Sequence, residues 1–169
     1  MEHYKVRAES PADEAAIARV TLEAFSGAEH ASGTEQLIVD ALRAAGELAV
    51  SLVAEAEGQI VGHVAVSPVR ISTGAPSWYG LGPVSVLPQW QHRGIGTELC
   101  RQALQRLRAS GAEGVVVLGD PDFYGRLGFR AEPGLVYPGV PARYFQALCW
   151  QGALPEGVVS YSAAFDASA

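Results

Sequence analysis

The sequence predicts one mixed α/β (α+β) domain over residues 1–169, in the order β-α-α-β-β-β-α-β-α-β-β. Three observations predict it. Apolar residues recur with a helical period in three long stretches. Between the second and third of these lie three consecutive strand-like runs. After the third comes "EGVVVLGD" (113–120), an almost continuous apolar run that suits a strand buried on both faces. No internal repeat, long linker or low-complexity block interrupts this order, and 169 residues suffice for a sizeable single core.

Taken in order, "YKVRAES" (4–10) reads as the first strand. Ser10 then caps a helix with Pro11 at its first position and acids in its first turn. Ala15, Ile17, Val20, Leu22 and Phe25 form its inward stripe. Thr34 caps a second helix that ends at Gly46, with Leu37, Ile38, Ala41, Leu42 and Ala45 facing in. "LAVSLVAEAEGQIVGHVAVSPVRIS" reads as a hairpin turning at Glu57-Gly58, and "WYGLGPVSVLP" as the next strand. A long helix runs from about Gly94 to Ala109 and buries Ile95, Leu99, Cys100, Ala103, Leu104 and Leu107. "DPDFYGRLG" is a short helical or turn segment, "FRAE" returns as a strand, and "YFQALCW" and "GVVSYSAAF" supply two more.

Composition bounds the partners. Hydrophobic residues are 49% and charged residues 18%, which places the chain among folded globular proteins rather than disordered ones. Twelve basic residues against 18 acidic ones leave a charge of −6, so no general attraction to nucleic acid is expected. No apolar run is long enough to span a bilayer, and "MEHYKVRAES" lacks the order of a signal peptide. A cytoplasmic protein without membrane partners is expected. Cys100 and Cys149 form no disulfide framework, no Cys/His spacing suggests zinc, and no metal is expected.

The chemistry concentrates where the long helix begins. An α-helix N-terminus carries unpaired N–H groups and about half a positive charge, an attractive site for phosphate. Gly94 and Gly96 lack a Cβ, so phosphate oxygens can approach the backbone; Gln91, His92, Arg93 and Thr97 offer side-chain donors at the rim. Equally, the glycines suit a merely sharp strand-to-helix turn. A Walker loop is excluded because no lysine lies near this turn, and "GIGTEL" lacks the third glycine of a dinucleotide fingerprint.

The pattern Q-x-x-G-x-G at Gln91 to Gly96, preceded by "VSVLP" and followed by an amphipathic helix, resembles the acetyl-CoA motif of the GNAT superfamily of N-acetyltransferases. "LGDPDFYGRLGF" (118–129) looks like its YhbS-like bacterial branch. The resemblance covers nearly the whole chain. It implies a splayed central sheet, with the backbone of Gln91, His92, Arg93, Gly94, Ile95, Gly96 and Thr97 around the CoA pyrophosphate. It further implies pantetheine along Val84 and Val86, and Tyr124 as the general acid that protonates the departing thiolate. Gly82-Pro83 would mark the splay. Asp120, Pro121 and Asp122 replace the asparagine region of most relatives, and Asp120 is expected to cap the short segment.

The amine side departs from the family pattern. "SWYGLGPVSV" contains no acid, whereas many relatives carry a glutamate base on this strand. His63 on the neighbouring strand is the substitute the sequence offers, although a histidine among valines also suits a packed structural role. Glu29, His30 and Glu35 are weaker candidates, and Trp78, Tyr79, Tyr144, Phe145 and Trp150 could line an acceptor pocket or simply the core. The expected activity is direct acetyl transfer from acetyl-CoA to a primary amine of a small molecule or peptide, in a possible homodimer. The alternative is a non-catalytic acyl-CoA sensor.

Overall fold

The computed structural model describes residues 3–26 and 33–167. Seven strands form the main sheet: β1 (Lys5–Ala8), β2 (Val50–Ala56), β3 (Gln59–Pro68), β5 (Trp78–Val86), β6 (Gly114–Leu118), β7 (Arg130–Ala131) and β9 (Phe145–Cys149). Their spatial order is β1-β2-β3-β5-β6-β9-β7. All neighbours run antiparallel except β5 and β6, which the long helix α3 (Ile95–Ala109) connects. Helices α1 (Glu14–Phe25) and α2 (Glu35–Ala44) pack on each other, and α1 and α3 both pack on β3 and β5 from opposite faces.

The expected elements appear in the expected order, with two short strands added. The two-residue strands β4 (Arg70–Ile71) and β8 (Leu135–Val136) flank β10 (Gly157–Ser160) in a second, three-stranded sheet. The C-terminal run therefore leaves the main sheet. It closes over a second apolar cluster that includes Trp78, Val116, Phe145 and Val159.

Helix faces follow the expected stripes with local shifts. Every apolar position expected on α3 is buried. On α1, Ile17, Val20 and Thr21 are buried and Leu22 is half exposed. Thr21 takes the inward place because its hydroxyl donates to the Ile17 carbonyl at 2.8 Å, which satisfies it without water. On α2 the buried set is Ile38, Val39 and Leu42. At the start of the first helical segment, Ser10 gives its N–H and hydroxyl to the Asp13 carboxylate at 2.7 and 3.1 Å. Arg7 grips the same carboxylate with both guanidinium nitrogens, at 2.7 and 3.1 Å.

Register makes the opening. β5 pairs with β6 only from Trp78↔Gly114 to Leu81↔Val117. Opposite β3, the pairing steps from Val66↔Leu81 to Val64↔Val84, so Gly82 and Pro83 together face Ala65 in a bulge. Beyond that bulge β5 stays with β3 and leaves β6, and the sheet splays. Among the described residues, no helix is long and apolar enough to cross a membrane.

Candidate functional site

The bulge decides where the free backbone points. The Leu87 N–H donates to the Val61 carbonyl at 2.9 Å, so Leu87 and Ser85 turn their peptide groups toward β3. Val84 and Val86, in the alternate positions, turn theirs toward the gap that β6 has left. Gln91 takes one of these groups: its Nε2 donates to the Val86 carbonyl at 3.0 Å and ties the turn to the strand. The N–H groups of Val84 and Val86 and the carbonyl of Val84 face the open side.

After a short 3-10 turn at Pro88–Trp90, the chain enters α3 through Gly94, with φ 85°. No side chain caps this helix, and the Glu98 N–H is the first to find an acceptor in the turn, on the Gly94 carbonyl at 3.0 Å. The amides of Ile95, Gly96 and Thr97 therefore have no intrahelical acceptor. The two glycines do different work. A Cβ on Gly94 would meet nothing within 4 Å, so this glycine serves the left-handed φ. Gly96 has an ordinary helical backbone. A Cβ there would stand 3.7 Å from Val86 Cγ2 and 3.8 Å from Phe123 Cζ, in ordinary contact and projecting between the strand and α4 (Pro121–Gly125).

These features enclose a single cleft of about 590 Å³. Val84 and Val86 form its strand wall, Gly94 to Thr97 its helix-pole wall, and Phe123, Tyr124 and Arg126 the facing wall. Gln91 and His92 stand at the turn with Trp90. Arg93 does not line it: its guanidinium lies over the Trp90 ring, 5.0 Å from the centroid. The Ile95 side chain is buried in the core, so only its backbone serves the cleft.

Tyr124 is placed by its neighbours. Asp120 accepts the Asp122 N–H at 2.9 Å and starts α4, as expected of a capping aspartate. The phenol ring stands edge-on to Phe123 and Phe129, with centroids 4.9 and 5.8 Å away. Gly119 leaves room for it, since a Cβ there would lie 2.5 Å from Tyr124 Cε2. Burial, with smaller contributions from Cys100 and Asp120, holds the phenol protonated well above its ordinary range. Cys100 itself is fully buried, and burial pushes its thiol up to about 12, which suits a core residue and not a nucleophile.

His63 lies elsewhere. It is fully buried on the opposite face of the sheet from the Val84 and Val86 side chains, directly across from Ser85. Burial, only partly offset by Glu9, lowers its pKa to about 4, so the imidazole is neutral at pH 7. Glu35 begins α2, and Glu29 and His30 lie outside the described residues. Trp78 and Phe145 are core, with Trp78 packed where a Gly114 Cβ would be. Tyr144 stacks under Arg143, and Trp150 sits beside Arg108.

Sequence reasoning missed Phe123, Arg126 and Trp90 as cleft walls, although "DFYGR" carried the first two beside Tyr124. It also missed Glu9, Arg43 and Ser51, which connect to His63 from three separate elements and have no spacing signal.

Comparison with known proteins agrees with this geometry. The model of the acetyltransferase (GNAT) family matches residues 15–129. An uncharacterized N-acetyltransferase of Escherichia coli K12, YhbS, is 35% identical over 126 residues, covering 74% of this chain and 72% of its own. A second from the same strain, YjhQ, is 31% identical over 146 residues, covering 85% and 78%. A crystal structure of a GNAT family acetyltransferase from Brucella melitensis, in complex with acetyl-CoA, shares 48% identity. It superposes with a TM-score of 0.87 over 98% of this chain and 100% of that one. The structure of E. coli YhbS in complex with CoA gives a TM-score of 0.88 at 30% identity, over 99% and 94%. A cleft built from the open edge of a splayed strand and an uncapped helix pole, on a chain with these relatives, places this protein in the GNAT family of N-acetyltransferases.

Proposed function

We propose that the protein transfers the acetyl group of acetyl-CoA directly to a primary amine of a small molecule or peptide. One observation carries the placement of the donor: three uncommitted helix-pole amides, the open edge of Val84 and Val86, and Tyr124 all converge on one cleft. The fit is specific to an anion followed by an extended amide chain. The amides of Ile95, Gly96 and Thr97 offer the positive pole of α3 to a diphosphate, and Gly96 keeps the approach clear. The groups of Val84 and Val86 offer strand-like hydrogen bonds to the pantetheine amides.

In this reading Val86 N–H also meets the negative charge that develops on the acetyl oxygen, as a fixed dipole needing no reorganisation. Tyr124 gives its proton to the departing sulfur. Burial raises its pKa, so the phenol holds its proton at pH 7.

The test is thiol release from acetyl-CoA with a panel of primary amines, in wild type and Tyr124→Phe. The variant should bind CoA as wild type does and release thiol about a hundredfold more slowly or worse. Equal rates would remove Tyr124 from the chemistry.

A further inference from the structure

A second hollow adjoins the cleft. It holds about 410 Å³ between α3, the end of α4 and β9, and Arg126 lines both spaces. One stripe of α3 also joins them. Thr97 lines the cleft, and Arg101, Leu104 and Arg108 follow it at steps of four, three and four residues on the same helix face. Leu104, Leu127 and Leu148 make an apolar floor, and Trp150 stands beside Arg108 at the far end.

The charge in this hollow is one-sided. Three of the chain's twelve basic residues line it and no acid does, in a protein of net charge −6. Arg101 meets Glu98 at 3.2 Å, an i,i+3 pair open to water and of the kind that contributes little. Among the described residues, neither Arg108 nor Arg126 pairs with a carboxylate. Arg108 lies over the Trp150 ring, 5.9 Å from its centroid. Arg126 gives its Nε–H to the Asp122 carbonyl at 2.9 Å, which fixes the guanidinium at the shared wall and leaves its outer nitrogens for a ligand. A guanidinium held in place beforehand loses less freedom on binding. A bare inorganic anion would leave the apolar floor unused, and an apolar ligand would leave the guanidinium groups unused. A flat heteroaromatic ring that carries a phosphate uses both.

We propose that this hollow receives the adenosine 3′-phosphate end of CoA, with Arg101 and Arg126 on the 3′-phosphate and the adenine on the apolar floor. The inference rests on the acetyl-CoA reading above, which sets the diphosphate on the amides of Ile95 to Thr97. Arg101 stands four residues beyond Thr97, about 6 Å along the helix axis, a step comparable with that from 5′- to 3′-phosphate across one ribose. A phosphate monoester carries about −1.5 to −2 charge at pH 7, and arginine answers it with paired, charge-assisted hydrogen bonds. Dephospho-CoA lacks this group, as does the phosphopantetheine of a carrier protein. The backbone amides and the strand edge treat all three alike, so the arginines select free CoA.

The experiment is calorimetric titration of the full chain with CoA, 3′-dephospho-CoA and adenosine 3′,5′-bisphosphate. Wild type should bind CoA about tenfold or more tightly than dephospho-CoA, and should bind the bisphosphate without any pantetheine. An Arg101→Gln, Arg126→Gln double variant should bind CoA and dephospho-CoA alike and lose the bisphosphate. Arg70→Gln, on the second sheet, removes the same kind of charge elsewhere and should change none of the three affinities. Equal wild-type affinity for CoA and dephospho-CoA, or a preference that survives in a folded double variant, overturns the proposal and leaves acetyl transfer intact. A wild type that binds CoA but releases no thiol would sink the acetyl-transfer reading, while the preference for the 3′-phosphate still decides the hollow. Binding of none of the three overturns the proposal outright.

Discussion

Gly96→Ala separates stability from cofactor binding because the structure predicts opposite signs for the two. Gly96 sits in the first turn of α3 with ordinary helical dihedrals, and the added methyl meets only Val86 Cγ2 and Phe123 Cζ, at 3.7 and 3.8 Å. Nothing has to move. Alanine lowers the entropy of the unfolded chain and favours the helix by up to ~1 kcal/mol. For a chain of this size that raises Tm by about 1–4 °C. The same methyl projects into the cleft where the helix-pole amides are exposed. Displacing an anion from one charge-assisted hydrogen bond costs roughly 1.5–3 kcal/mol, or about a ten- to hundredfold loss of CoA affinity. Thermal unfolding without ligand reads the first effect, and calorimetric titration with CoA the second. A variant that gains Tm and binds CoA as tightly as wild type would refute the placement of the diphosphate. Gly94 is the poorer probe, because any side chain at φ 85° brings backbone strain of its own.

Three other perturbations test neighbouring parts. Gly119→Ala puts a methyl 2.5 Å from the Tyr124 ring; it should displace the phenol, cost about 1–3 kcal/mol and slow thiol release while CoA affinity stays. His63 is neutral in the fold, with its pKa lowered from an ordinary ~6.5 to about 4. The unfolded chain therefore binds the extra proton between those values. Stability should fall as pH drops from about 6.5 to about 4, and His63→Gln should flatten that slope in denaturant titrations. Asp13, pinned by Arg7 and Ser10, has its carboxyl held far below the usual range, so its contribution is present above about pH 4 and is lost below it. Asp13→Asn should lower stability at neutral pH and soften the decline below pH 4, leaving the histidine window intact.

Much of the site was legible because its key parts are local. Gln91 to Gly96, the helix stripe that follows, and Tyr124 each lie within one short stretch, where spacing alone reports geometry. The split between the glycines was not legible. Both lack a Cβ, and only the structure shows that Gly94 is needed for φ while a Cβ on Gly96 would project, without clash, into the cleft. Arg93 looked like a rim donor from its position, but a flat aromatic neighbour, Trp90, competes for its guanidinium. The C-terminal strand was read correctly as a strand, but its place in a second sheet was not legible. Its partners, β4 and β8, are two-residue segments too short to leave a period. Thr21 in place of Leu22 shows the same limit: a polar residue enters a core once a local carbonyl satisfies it, which a count of apolar residues does not register.

The charge balance gives the helix pole its importance. A chain at −6 with one lysine repels a polyanion at long range, so recognition of a diphosphate must be local. Backbone amides meet that requirement. They act within the first turn, they carry no net charge to draw nucleic acid, and their direction is set by the helix and not by a flexible side chain. The bulge at Gly82-Pro83 extends the same device. One extra residue on β5 ends the pairing with β6, and main-chain groups of Val84 and Val86 that a continuous sheet would consume are left open, as the proposed binding of a linear amide chain requires. In the proposed reading Tyr124 is then the one cleft side chain asked to deliver a proton.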